Sequence, residues 1–327
     1  MFRLDRRALF LPALWLGLAA APGSASNGKT EDAIRLFEAH QVTQARPLLE
    51  AAVREDPSDA RAAFYLGRAL LSADEVDQAI EWIEKAVALD SERVEYHLWL
   101  GRAYGSKALR ASVFQQPSLA RKVRREFERA SALDPDNLEA RFGLVEFYLR
   151  APGVMGGSLA KAKEQAKQIS RRDPLQGHRA AGRVAEHEKR FDDEAQEYSA
   201  ALRDFPESPE PHYWMGSFYE RRKDYARAFE IYEKLLEKRP EEWNACYQIG
   251  RIAIVSGERL DRGVECLTLY LSHTPGADEP SLASAHFRLG LLYEKKRAKD
   301  LARAEYTAAL ELDPTLKDAR KALSTSR

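Results

Sequence analysis

"FYLGRAL" at residues 64–70 is answered by "LWLGRAY" at 98–104, which sets two glycines 34 positions apart. Five further stretches carry a glycine in similar surroundings: "ARFGLVE" (140–146), "RAAGRVA" (179–185), "YWMGSFY" (213–219), "YQIGRIA" (247–253) and "FRLGLLY" (287–293). The glycines are Gly67, Gly101, Gly143, Gly182, Gly216, Gly250 and Gly290, and the steps from 182 to 216 and from 216 to 250 are again 34. Self-similarity at such a period signals stacked structural repeats and governs how every other feature is read.

A second landmark closes each unit. It is Pro57, Pro135, Pro174, Pro206, Pro240 or Pro314, with Ser91 and Pro275 in the two remaining places. Five residues earlier stands Ala52, Ala86, Ala130, Ala201 or Ala309. Eight residues earlier comes a bulkier side chain: Leu49, Ile83, Phe127, Tyr198, Tyr232, Leu267 or Tyr306. The glycine lets two helices approach, the alanine and bulky residue fill their seam, and proline ends the second helix.

This pattern resembles the tetratricopeptide repeat, a 34-residue helix–turn–helix unit, over about residues 27–316 as eight repeats. The resemblance implies an all-α, right-handed α-solenoid in which each unit buries its apolar side against its neighbours. Residues 317–327, "TLKDARKALSTSR" with its lead-in, read as an amphipathic helix covering the last exposed face.

Lys+Arg and Asp+Glu number 51 each, so no overall field favours nucleic acid or acidic lipid, and electrostatic recognition has to come from local arrangement. The chain opens "MFRLDRRALFLPALWLGLAAAPGSASNG", with Arg3, Arg6 and Arg7 before an apolar run at 8–21 and a small-residue stretch at 23–26. That is the plan of a secretory signal peptide over residues 1–26, cleaved after Ala25 or Ser26. The expectation is an exported protein, periplasmic or secreted, with no membrane span after cleavage.

Glycine-to-closing distances act as a ruler. They are 24 in the second, fifth, sixth and eighth repeats and 25 in the seventh, but 34 in the third and 31 in the fourth. Two adjacent repeats therefore carry about ten and seven extra residues, near 106–116 and 151–157. The second insertion, "RAPGVMGGSLAK" (150–161), has the composition of a phosphate-binding loop. It follows a helical segment rather than a strand and lacks the closing Gly-Lys-Ser/Thr. Pro152 and the glycines are expected to stop one helix and Ser158 to cap the next. The paired insertions resemble those of a group of exported bacterial tetratricopeptide proteins. They read either as a mutual brace or as a docking edge offering Val113, Phe114, Val154 and Met155.

In the family, the first helix of each repeat lines the concave groove, with the residues three before and one after the glycine pointing inward. Carried over, the later positions are Arg68, Arg102, Leu144, Arg183, Ser217, Arg251 and Leu291; the earlier ones include Phe64, Tyr213, Tyr247 and Phe287. Arginines and aromatics suit capture of an extended or acidic peptide. Alternatively Glu186, Glu220 and Glu294, one turn later, neutralise the arginines and leave a solvated groove.

His97, His178, His212 and His286 each precede a glycine by four residues. They read as seam-filling side chains rather than metal ligands, one per repeat being too far apart to share an ion. Cys246 and Cys266 lie on the two helices of repeat seven and read as a disulfide or as two buried thiols. No cofactor, metal or catalytic constellation can be assigned. The function expected is an exported scaffold for protein or peptide partners; the alternative is an assembly factor of envelope machinery, for polysaccharide export or cytochrome maturation.

Overall fold

A computed structural model describes residues 23–276 and 279–326. The expected signal peptide lies almost wholly outside them. The described residues form eight helical hairpins and a final helix. The hairpins are α1 (Gly23–Glu38) with α2 (Val42–Glu55), α3 (Ala60–Ser72) with α4 (Val76–Leu89), α5 (Val94–Arg110) with α6 (Gln116–Leu133), and α7 (Leu138–Arg150) with α8 (Leu159–Arg172). They continue as α9 (Pro174–His187) with α10 (Phe191–Asp204), α11 (Glu210–Arg221) with α12 (Tyr225–Lys238), α13 (Trp243–Ser256) with α14 (Leu260–Tyr270), and α15 (Leu282–Lys295) with α16 (Lys299–Leu312). The last helix, α17 (Lys317–Thr325), packs on α16 and buries Ala319. The molecule is an all-α repeat solenoid.

Local chemistry sets the helix ends. Asp59, Asn137 and Asp173 each accept a hydrogen bond from the backbone N–H three residues on, which satisfies a free donor at the start of α3, α7 and α9. The tight turns within repeats need a left-handed residue. Asp74 takes it at φ 66°, with its N–H donating to the Leu71 carbonyl and the Glu75 N–H donating to Leu70.

Packing follows the sequence landmarks. Ala52, Ala86, Ala130, Ala201 and Ala309 are fully buried, as are Leu49, Ile83, Leu267 and Tyr306. A Cβ on Gly216 would lie 2.4 Å from the Tyr232 ring, and one on Gly182 equally close to Tyr198, so the two helices meet there at van der Waals contact. The apolar core runs unbroken from Ala33 to Val184, and a second core spans repeats six to eight. Between them lies a small cluster of Tyr198, Met215 and Phe218.

The link between α14 and α15, residues 271–281, is much longer than the other connections between repeats. It reaches the opposite end of the stack, where His40 Nε2 donates to the Gly276 carbonyl at 2.5 Å. Repeats one and seven thus meet along the turn edge.

Candidate binding surface

Successive first helices pack on one another (α1 on α3, α3 on α5, α5 on α7, α7 on α9, α13 on α15), whereas no pair of second helices does so comparably. Elements on the inside of a curved stack lie closer together, so the first helices line the concave face.

The structure corrects the register in repeat four. Gly143 lies only partly buried, and a Cβ there would strike Phe127 of the preceding repeat at 2.4 Å. The place occupied elsewhere by the seam glycine falls to Val145, which is fully buried. Opposite it by register stands Ala166 in place of the usual bulky residue. A large–small pair has been exchanged for a small–large one, which preserves seam volume. Leu144 is consequently in the core at 4% exposure, and the inward residue after the seam is Glu146. The insertion shrinks accordingly: residues 151–158 replace a three-residue turn such as 73–75. In repeat three the extra length goes mostly into the longer α5 and α6.

With that register, one ion pair or hydrogen bond ties each first helix to the next. Glu31 holds Arg61 (2.5 Å), Arg68 approaches Glu95 (3.6 Å), and Arg102 donates to Glu139 (2.9 Å). Glu146 then accepts two bonds from Arg183 (2.7 and 2.9 Å), and Glu186 pairs with Arg221 (3.1 Å). Glu220 accepts from Arg251 at 2.6 Å, and Arg288 donates to the Tyr247 hydroxyl at 2.6 Å. The arginines expected to face a ligand are thus already held by carboxylates of adjacent repeats. Burial opposes ionisation of Glu146, yet the Arg183 guanidinium holds its carboxyl below the usual range. Arg221 also binds Glu194, which is 1% exposed and whose pKa is raised by burial.

Of the expected inward aromatics, Phe64 (1% exposed) and Tyr247 (5%) lie in seams between helices rather than on the open groove. Tyr213 and Phe287 are half-buried, and the Tyr213 hydroxyl donates to Glu242 at 2.8 Å. Ser217 and Leu291 are half-buried. The open aromatic face belongs to residues one step along the helix, Tyr65 and Trp99, which the sequence reading passed over. Trp99 lies between two guanidinium groups, Arg68 at 4.4 Å and Arg102 at 5.0 Å from its ring centre. Arg68 also stacks on Phe37 and Tyr65, and its buried Nε–H has no hydrogen-bond partner. Arg68, Trp99 and Arg102 open onto a cavity of about 790 Å³ that Arg93, Leu98 and Asn137 help to line.

The glycine-rich insertion folds inward upon itself. A short 3-10 helix, Gly153–Met155, precedes Gly156 at φ 99°. The Gly156, Gly157 and Ser158 N–H groups donate to the carbonyls of Gly153, Pro152 and Tyr148. A Cβ on Gly157 would collide with the Ala151 carbonyl. A phosphate cradle needs such N–H groups turned outward; here they are used within the loop. Ser158 caps α8 through the Lys161 N–H. Met155 packs against the core and the short helix packs on α6, while Val113, Phe114 and Val154 project at 67, 91 and 96% exposure.

Three of the four histidines contact a glutamate of their own repeat: His97 with Glu126, His178 with Glu197, and His286 with Glu305. His212 is buried and its Nδ1 has no partner. Among the described residues no group of three or more His, Cys, Asp or Glu could hold a metal ion. Cys246 and Cys266 are buried free thiols that face one another, and the Cys246 thiol together with burial pushes the Cys266 thiol up. No helix among the described residues is long and apolar enough to cross a membrane.

A sequence model described as a tetratricopeptide repeat matches residues 30–94, 156–209 and 195–242, and a second model of the same description matches 283–316. Together they span more than half of the chain. The unmatched stretches hold the first insertion, most of the second and the long link. No curated protein matches the chain by sequence. Among solved structures, yeast Tom70 is 16% identical with a TM-score of 0.61, over 97% of this chain and 66% of that one. A tetratricopeptide repeat protein of Parabacteroides merdae is 12% identical over 93% of this chain and 99% of its own (TM-score 0.48). One of Thermus thermophilus is 19% identical over 59% and 98% (TM-score 0.48). At these identities the likeness is one of fold.

Proposed function

The chain belongs to the tetratricopeptide repeat family, whose repeats suggest a scaffold for protein–protein interaction, and from that premise we propose that it binds a partner segment on its inner face at repeats two to four. The observation that carries this reading is Trp99 held between Arg68 and Arg102 beside an open cavity. Tryptophan and arginine in a shaped pocket are the usual anchors of an interface. The long 3.6 Å approach of Arg68 to Glu95 favours a partner that brings its own carboxylate beside an apolar side chain. The arginines farther along, Arg183 and Arg251, hold the repeats together in this reading.

The test compares partner capture by immobilised wild type, Trp99→Ala and Phe114→Asp, with melting curves for each. The partner should be depleted about tenfold or more by Trp99→Ala, a typical anchor effect, and kept by Phe114→Asp. Retention by a folded Trp99→Ala protein contradicts the proposal.

Export is part of the same proposal and rests on residues 1–26. A mature chain beginning at Ser26 or Asn27 in the periplasm or medium supports it; an intact Met1 in the cytosol contradicts it.

A further inference from the structure

We propose that Cys246 and Cys266 form a redox-sensitive staple, a dithiol that a small-molecule disulfide oxidises to a bond locking α13 to α14 in repeat seven. The repeat pattern itself places the two sulfurs together. Each of the three His–Glu pairs sets the residue four before a seam glycine against the one just before the bulky seam residue, as His97 meets Glu126. In the shifted register of repeat four the same two places hold Arg141 and Gln165, which bond at 3.2 Å. Cys246 stands four before Gly250, and Cys266 stands just before Leu267. Repeat seven therefore puts two thiols where other repeats put a bonded pair. The helices are close there, since a Cβ on Gly250 would lie 2.4 Å from Leu267 Cγ. Short side chains can be bridged only at such an approach. The chain has no other cysteine to compete for either sulfur.

Both thiols are buried, so exchange requires α14 to open locally, and α14 is built to do so. It has 11 residues where no other second helix has fewer than 14. Its first turn has no side-chain cap and follows Arg259 in the left-handed region at φ 48°. Its last turn runs into the long link, where the Tyr270 hydroxyl donates to the Pro280 carbonyl at 2.5 Å. Short, weakly capped elements open before the rest of a fold does. Donation from the Cys266 thiol, aided by the Arg262 guanidinium and opposed by burial, holds the Cys246 thiol below its usual range. Cys246 is then the attacking sulfur, because the thiolate is the nucleophile. It forms a bond to one sulfur of the small disulfide and releases the other as a thiolate. Cys266 next attacks the Cys246 sulfur and releases the second. The two cysteine protons end on the released thiolates, so the protein loses two electrons and the reagent gains them. The bond fixes the root of the link that reaches His40.

The test equilibrates the purified full chain with reduced and oxidised glutathione, starting once from the dithiol and once from the disulfide. Acid quenching, alkylation and mass spectrometry then count the thiols. The folded chain should favour the intramolecular disulfide about thirtyfold or more over the same chain in urea, where only the backbone holds the sulfurs together. Cys246→Ser and Cys266→Ser, each checked for folding by circular dichroism, should lose the transition. In the oxidised wild type, amide hydrogen exchange in α14 should slow about tenfold or more, while that in α5 stays unchanged. The proposal is overturned by an equal or lower preference in the folded chain, which would mean that the fold holds the sulfurs apart. Folded thiols that never exchange, glutathione left as a mixed disulfide on one cysteine, or unchanged amide exchange in α14 would overturn it as well.

Discussion

The inner face and the insertion edge use the same residue types to opposite ends. On the inner face nearly every arginine meets a glutamate of the neighbouring repeat, so charge is consumed in holding the stack. On the edge, Val113, Phe114 and Val154 project into solvent, and most cations meet carboxylates only in exposed pairs. Strictly periodic positions satisfy one another because each repeat repeats the offer. Insertions break the period, and their side chains have no counterpart in the next repeat. Surplus chemistry therefore collects where the pattern is interrupted, and at repeats two and three, where Trp99 separates Arg68 from Arg102.

The sharpest way to upset this contrast is at Arg221. Replacing it by Ala leaves the buried Glu194 without its cation, and such losses cost about 3–5 kcal/mol. Urea unfolding should show a loss near the lower end, since Arg221 itself is partly exposed. A change below about 1 kcal/mol, the range of a surface pair, removes Arg221 from the ladder.

The corrected register gives the next effect. Ala166→Tyr should overpack the seam against Val145 and destabilise by about 1–3 kcal/mol. Adding Val145→Gly restores the usual glycine–tyrosine arrangement and should recover part of that loss. Strict additivity of the two changes contradicts the assigned register.

A smaller, pH-dependent effect is expected at the buried His97–Glu126 pair. Burial works against both charges, yet each partner favours the other's ionised form, so His97 is raised and Glu126 lowered. The raised histidine contributes stability fully present below about pH 6.5 and lost as pH climbs through its folded value. The lowered carboxyl contributes above about pH 4.5 and loses it as pH falls through its own folded value. The stability gap between wild type and His97→Gln should thus be widest at about pH 4.5–6.5 and narrow on either side. A flat gap contradicts the pair.

At the edge, Phe114→Ala should leave stability within about 0.5 kcal/mol of wild type, as for surface positions with no fixed partner. A larger loss would make the insertions a brace.

Much of this was legible in the sequence. The recurring glycines, alanines and closing prolines marked out the hairpins because each residue answers a steric demand of the seam that recurs at fixed spacing. Repeat four misled because Gly143 sits two residues early, and the seam there uses Val145 with Ala166. A signal was present: Ala166 stands eight residues before Pro174, where every other closing position is preceded by a bulky side chain. The ladder was half visible. Glu186 and Glu220 were evident as acids near arginines, but Glu220 serves Arg251 of the next repeat, and only helix packing decides that. The insertion loop's inward hydrogen bonds depend on backbone turns that composition does not specify.

Whether the inner arginines tie repeat to repeat is decided by a double-mutant cycle on Arg183→Ala and Glu146→Ala in urea. Bidentate geometry and partial burial predict a coupling of about 1–3 kcal/mol. Additive single changes, with a coupling near zero, would mean that the ladder does not hold the stack.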